Sequence, residues 1–310
     1  MRAHALDLVE IRRRWRRPSL LRRLASRPLP PGLLTPSFAA PNIADQETFA
    51  KELRALLEGV RDRTVAVDLP LASAAVALFG FDTFPHATTE QDTLLRWCFR
   101  QEEHVTANDL HLVSRVFGAG GPNVEGTAVS VLAVAVRHSV LHQYHQAFET
   151  AGFLPVSVGF STLNFFDFYR EVIPQSREIF FAHHTGETLI VLAIQDGRPV
   201  FLRTKPVRRS HVDLKAELVK TLQFFDSQFP HETSSGETAS SPFYVVDELA
   251  SLQQIPEPME LPSSEVWTPT SNPYWTVAVT RVDWSTVPMA TSLPNPAHPP
   301  FGALAGVLAS

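Results

Sequence analysis

The chain has 310 residues and a mass of 34.4 kDa, above the size at which a single core stops growing, so two subdomains are expected. With 44% hydrophobic and 19% charged residues it can bury a substantial core, which excludes a wholly disordered protein; its one cysteine, Cys98, excludes a disulfide framework and a cysteine-built zinc site. The net charge of −5 is uneven: residues 1–27 carry nine arginines against Asp7 and Glu10, while the rest carry 18 basic and 30 acidic side chains, so most of the surface would repel a nucleic-acid backbone.

In chain order, Ala5–Ile11 alternates and runs into an arginine cluster, and Ser19–Arg27 resumes an apolar/basic pattern. This predicts a hairpin with a basic tip, followed by the proline-rich connector Pro28–Pro41. Phe49, Leu53, Leu56, Leu57 and Val60 recur at helical spacing behind a capping Asn42 or Asp45. Thr64–Leu69 and Ala75–Phe81 read as buried strands, and a helix opens at Thr88 or Thr89 and carries Leu94, Leu95, Cys98 and Phe99. Leu110–Phe117 and Thr127–Arg137 are expected to pair around the glycine-rich loop 118–126. A helix from His138 to Thr150 should stop at Gly152, with Pro155 beyond it.

The second half begins with an expected helix over Leu163–Val172. Strands follow at Glu178–Ala182 and Thr188–Ile194, and Asp196-Gly197 turns the chain into Pro199–Lys205. Leu214, Leu218, Leu222, Phe225 and Phe229 mark a long helix. After a polar loop at 231–241 come strands at Phe243–Val246 and Trp275–Val282, and Phe301–Leu308 reads as a terminal helix. No apolar run approaches the ~18 residues of a membrane span, and no apolar stretch follows the N-terminal arginines as in a secretory signal. A soluble protein that stays where it is made is expected.

Three features invite a chemical reading, and each has a plainer one. His138, His142 and His145 fall on one stripe of a helix, but the apolar residues Val140, Leu141, Tyr144 and Phe148 centre on another side, so the histidines are expected on a solvated face rather than at a metal. The glycines of 118–126 join two strands and lack a following G-K-[ST], so they are a hairpin loop and not a phosphate cradle. Cys98 lies among Leu94, Leu95 and Phe99 and is expected to be a buried, inert thiol.

The order of segments resembles the PilM-like proteins of type IV pilus assembly, relatives of the cytoplasmic part of type II secretion L proteins. The residues that carry it are Leu8-Val-Glu-Ile-Arg12 with Arg27-Pro-Leu-Pro-Pro-Gly32, and Val65-Ala-Val-Asp-Leu-Pro70. Phe81-Asp-Thr-Phe-Pro85, Val131–Arg137 before Ala151-Gly152, Asp196-Gly-Arg198 with Arg203-Thr-Lys-Pro206, and Glu217–Leu222 continue it. The resemblance implies an α/β, actin-like (ribonuclease H-like) two-lobed fold with an inserted α+β subdomain. The implied division is 1–74 for the first part of lobe 1, 75–152 for the insert, and 153–310 for the remainder of lobe 1 and lobe 2.

Actin-fold ATPases hold nucleotide through glycine-bearing hairpin loops. Here the resemblance aligns the first loop with Asp7, which has no neighbouring glycine, and the second with 182–187, where His183 replaces the expected Asp and only Thr185 and Gly186 survive. On another alignment Asp7 lies on the second strand, and the first strand is absent. The implied site at Asp7, His183, Thr185 and Gly186 is therefore degenerate: no cofactor is expected, with residual ATP and magnesium binding as the exception. The resemblance further implies a cytoplasmic scaffold, peripheral to the inner membrane, that grips the short tail of a bitopic PilN-like partner in a groove beside the insert. Arg12, Arg13, Arg14, Trp15, Arg16 and Arg17 are candidates for contact with an anionic leaflet, where each cation is worth about 1 kcal/mol. An active ATPase of the same fold and a type II secretion L-like component are the alternatives. No nucleic-acid partner is expected, and the oligomeric state is left open.

Overall fold

The computed structural model describes residues 1, 4–14, 17–103, 109–117, 129–160, 162–164, 176–185, 188–206, 211–229, 239–247, 264–267, 275–281 and 290–291. The expected helices at 163–172 and 301–308 and the loop 118–126 fall wholly or mostly outside these residues. The chain divides into two units, the first running from Met1 to Phe168 and the second from Tyr169 to Val287, with the C-terminal residues shared between them.

In the first unit, β1 (Ala5–Arg14) and β2 (Arg17–Pro28) form the expected antiparallel hairpin, with β14 (Ala290–Thr291) parallel to β2. The helix α1 (Gln46–Leu56) starts at Asp45, whose carboxylate accepts from the N–H groups of Glu47 and Thr48 at 3.0 and 3.2 Å. These bonds satisfy amides that a helix start leaves open, and they and the Thr48 hydroxyl, foremost among the causes, hold the Asp45 carboxyl below its ordinary value. At the other end Arg23 donates to the carbonyls of Leu56 and Glu58, which docks the hairpin on the helix.

The connector before α1 is held by Asn42, the other candidate cap. Asn42 is buried; its Nδ2 donates to Ser73 Oγ at 2.7 Å and Tyr144 Oη at 3.2 Å, and its Oδ1 accepts from the Ser37 amide. Burial pushes the Tyr144 hydroxyl above its ordinary value. Here a turn-forming side chain has become the centre of a buried polar network.

Strand β3 (Thr64–Leu69) has the expected bounds and pairs in parallel with β7 (Leu154–Phe160). Between them lies the insert: β4 (Ala75–Phe81), α2 (Thr88–Glu103), β5 (Leu110–Phe117) and β6 (Val129–Arg137). Its antiparallel sheet, in the order β4-β6-β5, packs one face on α2 through Phe79, Phe99, Val131 and Ala133, and Cys98 is buried among them. The helix α3 (His138–Ala151), grouped with the insert by the expected boundary at 152, instead packs on α1, where the Tyr144 and Phe49 rings meet edge to face at 6.4 Å. Gly152 ends it with φ 88°, a left-handed cap that glycine adopts without a Cβ penalty.

Among the described residues, the second unit holds a six-stranded sheet in the order β10-β9-β8-β11-β13-β12. Its strands are β8 (Glu178–His184), β9 (Thr188–Gln195), β10 (Arg198–Pro206), β11 (Ala239–Asp247), β12 (Ser264–Trp267) and β13 (Trp275–Arg281). The β9–β10 turn has Asp196 and Gly197 both at positive φ, 49° and 75°, as tight hairpins require. The long helix α4 (His211–Gln228) covers one face through Leu214, Leu218, Leu222 and Phe225. Strand β11 starts four residues earlier than expected, inside the stretch read as a loop, because its polar start pairs with β13 from Ala239 onward.

The two units share one plan. In the second, β8, β9 and β10 form an antiparallel meander, α4 follows, and β11 and β13 lie parallel beyond β8. In the first, β1 and β2 correspond to β9 and β10, α1 to α4, and β3 and β7 to β11 and β13.

Candidate functional site: a groove along an uncovered strand edge

Strand β7 pairs with β3 on one side only, and among the described residues no strand covers its other edge. A groove of about 650 Å³ runs there, within the first unit. Pro155 through Phe160 all line it. Successive side chains of a strand point to opposite faces, so a cavity touching every residue of the run lies along the strand's edge. The opposite wall is a sheet face: His111 and Val113 of β5 lie directly across from Val136 and Val134 of β6 in register, and all four line the groove. This is the face of the insert sheet turned away from its own core.

The third wall is α3, through His138, Leu141, His142 and His145. The histidines expected on a solvated face are on the polar face of α3, and His138 and His142 are exposed, but that face looks onto the groove. The His111 and His138 rings meet edge to face at 5.7 Å, bridging β5 and α3. Among the described residues no group of side chains could hold a metal, and none that lines the groove is a carboxylate, lysine or arginine. Its character is aliphatic with imidazole edges: Val113 is 59% and Val156 62% exposed, unusual for valines on ordered strands.

One corner of the groove is held tightly. Asn164 Nδ2 donates to Asp68 Oδ1 at 2.6 Å, and a Cβ on Gly159 would come within 2.6 Å of that same Nδ2. Gly159, opposite Asp68 in register, is thus the residue whose missing side chain lets Asn164 reach across β7 to β3.

The residues aligned with nucleotide loops are divided between the two units. Asp7 lies on β1 in the first unit, where its Oδ1 accepts from Ser26 at 2.8 Å across the hairpin. His183 is in the second unit, and β8 runs two residues longer than expected, so His183 is a fully buried strand residue and not part of a loop. Thr185 closes the turn after β8 by donating its amide to the Thr188 carbonyl at 3.0 Å. Gly186 lies outside the described residues, as do Trp15 and Arg16 and the side chains of Arg12, Arg13, Arg14 and Arg17. Among the described residues no helix is long and apolar enough to cross a membrane.

A meander, a helix and two parallel strands in the second unit, and a hairpin, a helix and two parallel strands with an α+β insert in the first, define an actin-like α/β fold. The whole chain is similar to a chain of the "PilM-PilN type IV pilus biogenesis complex", at 19% identity and a TM-score of 0.70, covering 99% of this chain and 95% of that one. It is also similar to the cytoplasmic domain of EpsL, an inner-membrane component of the type II secretion system of Vibrio cholerae (13% identity, 98% and 96% covered, TM-score 0.44). A Bacteroides thetaiotaomicron protein of unknown function with an actin-like ATPase fold matches at 7% identity, 66% and 70% covered, with a TM-score of 0.39. No protein-family model and no curated protein sequence matches the chain.

Proposed function

We propose that the chain is a cytoplasmic scaffold of a type IV pilus-type assembly platform, and that the groove between β7 and the insert sheet takes the short cytoplasmic tail of a single-span inner-membrane protein. The observation that supports this reading most is the uncovered edge of β7 facing an exposed valine-bearing sheet. An extended peptide can add there as a strand, its main chain bonding to β7 and its alternate side chains meeting Val113, Val134 and Val136. The groove lies beside the insert, where the resemblance to PilM-like proteins puts the tail. The fold similarity to a chain of a PilM-PilN complex, over 99% of this chain, is consistent with it.

The proposal includes a degenerate nucleotide site. His183 supplies no metal-positioning carboxylate, and Asp7 is engaged by Ser26. The basic hairpin tip adds a weak contact with anionic lipid in this reading, raising avidity once the tail is held. The test is a tagged pull-down from detergent-solubilised host membranes, with and without Mg-ATP, read by mass spectrometry. Recovery of a single-span pilus assembly protein in both conditions, lost on Val156→Asp, is expected. Recovery only with ATP overturns the degenerate site, and recovery of no single-span protein overturns the scaffold.

A further inference from the structure

A strand added along β7 bonds to it through one edge of its own backbone, and the N–H and C=O groups of its second edge still need partners inside the groove. The aliphatic lining cannot supply them. Beyond β7, the polar side chains that line the groove are His111 of β5, His138, His142 and His145 of α3, and Asn164. The Asn164 amide already donates to Asp68. His111, His138 and His142 are exposed, so an incoming chain can reach them.

A neutral imidazole carries one donor and one acceptor, the pair that a strand edge asks for; an imidazolium carries two donors and a charge. The site resists that charge. The His111 and His138 rings are 5.7 Å apart, so charging one disfavours charging the other. His138 is the first residue of α3 and follows Arg137, and the positive end of the helix dipole opposes a cation there. The neighbouring elements offer little to offset it. β6 and β7 present no titratable side chain to the groove. Arg115 follows His111 on the same face of β5, and on the other side of α3 Arg54 of α1 reaches the Thr150 carbonyl. Among the described residues, the carboxylates flanking this wall are Asp109, which accepts from Ser139 at 3.2 Å, Glu149, one turn beyond His145 on α3, and Asp68, bonded to Asn164. None of the three lines the groove.

We propose that the neutral imidazoles of His111, His138 and His142 take the outward backbone edge of the seated tail, that the segment facing them carries no charged side chain, and that capture therefore releases protons. This role presupposes the tail-binding groove of the proposed function, and adds to it the chemistry of the tail and a dependence on acidity. The free chain binds more protons than the complex. Affinity is therefore full above the range in which imidazoles titrate, about pH 6.5, and is lost as pH falls through it. Each imidazole that must stay neutral weakens binding about tenfold at pH 5.5.

The test is calorimetry with a synthetic peptide copying the cytoplasmic residues of the single-span protein recovered in the pull-down. Binding is read at pH 7.5 and 5.5, and at pH 6.5 in two buffers of different ionisation enthalpy, which counts the protons released. The wild type is expected to bind at least tenfold more weakly at pH 5.5 and to release roughly one proton at pH 6.5. The triple change His111→Leu, His138→Leu, His142→Leu should weaken binding at pH 7.5 at least tenfold. Glutamine at the same three positions keeps a donor and an acceptor but does not titrate. It should recover much of that loss and hold the change between the two pH values to about threefold or less. The peptide's own groups titrate alike with every chain, so the difference between wild type and the glutamine variant reads the imidazoles, even where the leucine variant fails to fold. Wild-type binding that is equal or tighter at pH 5.5, or a glutamine variant with the same pH dependence as wild type, overturns the imidazole role and leaves the groove standing. A pull-down that recovers no tail, or a tail whose binding ignores Val156→Asp, overturns both.

Discussion

Strands β8 and β7 show two uses of a strand in the same plan. β8 is paired on both edges and buried on both faces, with Phe180 and Phe181 wholly inside; its backbone groups are satisfied within the unit. Among the described residues β7 is paired on one edge, and Leu154 and Val156 are half or more exposed. A strand of the first kind contributes stability, whereas one of the second keeps hydrogen-bonding capacity and apolar surface for something else. Most of what can be changed in the second unit is therefore expected to alter folding, and most of what can be changed on β7 to alter binding.

The sharpest way to break that contrast is at Phe180, whose ring meets Phe225 at 4.9 Å and Phe243 at 5.8 Å. Phe180→Ala is expected to destabilise the second unit by about 3–5 kcal/mol, the usual range for emptying a packed aromatic site, read by urea denaturation. If it costs no more than an exposed substitution, β8 is not the core strand its burial implies. Next in size is Asn42→Leu, which removes the donor shared by the Tyr144 and Ser73 hydroxyls and the acceptor of the Ser37 amide; a loss of about 2–4 kcal/mol is expected in the same assay.

Val156→Asp sharpens the other side. Stability should change by no more than about 0.5 kcal/mol, as at most exposed sites, while affinity for the tail falls at least tenfold, or about 1.4 kcal/mol, by calorimetry. A comparable loss of folding stability would mean that β7 is structural, like β8. The smallest effect is expected at Glu217, on α4, which pairs with Lys205 of β10 and with Lys220. The hydrogen bond from Lys205, and after it that from Lys220, holds its carboxyl below the ordinary value of 4.5. A carboxyl lowered by folding adds stability that is fully present above that ordinary value and is lost as pH falls through the lowered one. The stability gap between the wild type and Lys205→Met should thus narrow from neutral to acid pH, and a gap that widens would refute the pairing.

The sequence made some elements plain because their ends carry their own signals. Pro70 bounds β3, Gly152 stops α3, Asp45 caps α1, and Asp196-Gly197 can turn only as a tight hairpin. Strand β7 carried no such signal. Leu154, Val156, Val158 and Phe160 alternate, but Pro155 and Gly159 between them are residues that strands disfavour, and its partner β3 lies across the entire insert, so only the folded chain supplies the pairing. β12 was missed for a similar reason, being four residues held by one neighbour. The groove was hidden along with β7. The helical wheel of α3 separated the histidines from the core correctly, yet a wheel sees one helix and cannot know that a sheet face stands across from its polar side. The actin-like plan was legible through the order of segments, and the PilM resemblance agrees with the fold similarity over the whole chain.

The uncovered edge of β7 also bears on how much of this protein a cell can keep in solution. An edge with open hydrogen-bonding groups beside two aliphatic side chains in water is a template for any other edge, including that of a second copy. A tail bound as proposed would satisfy those groups and shield the two side chains, so the same contact that recruits a partner would also protect this edge from pairing with its own copies.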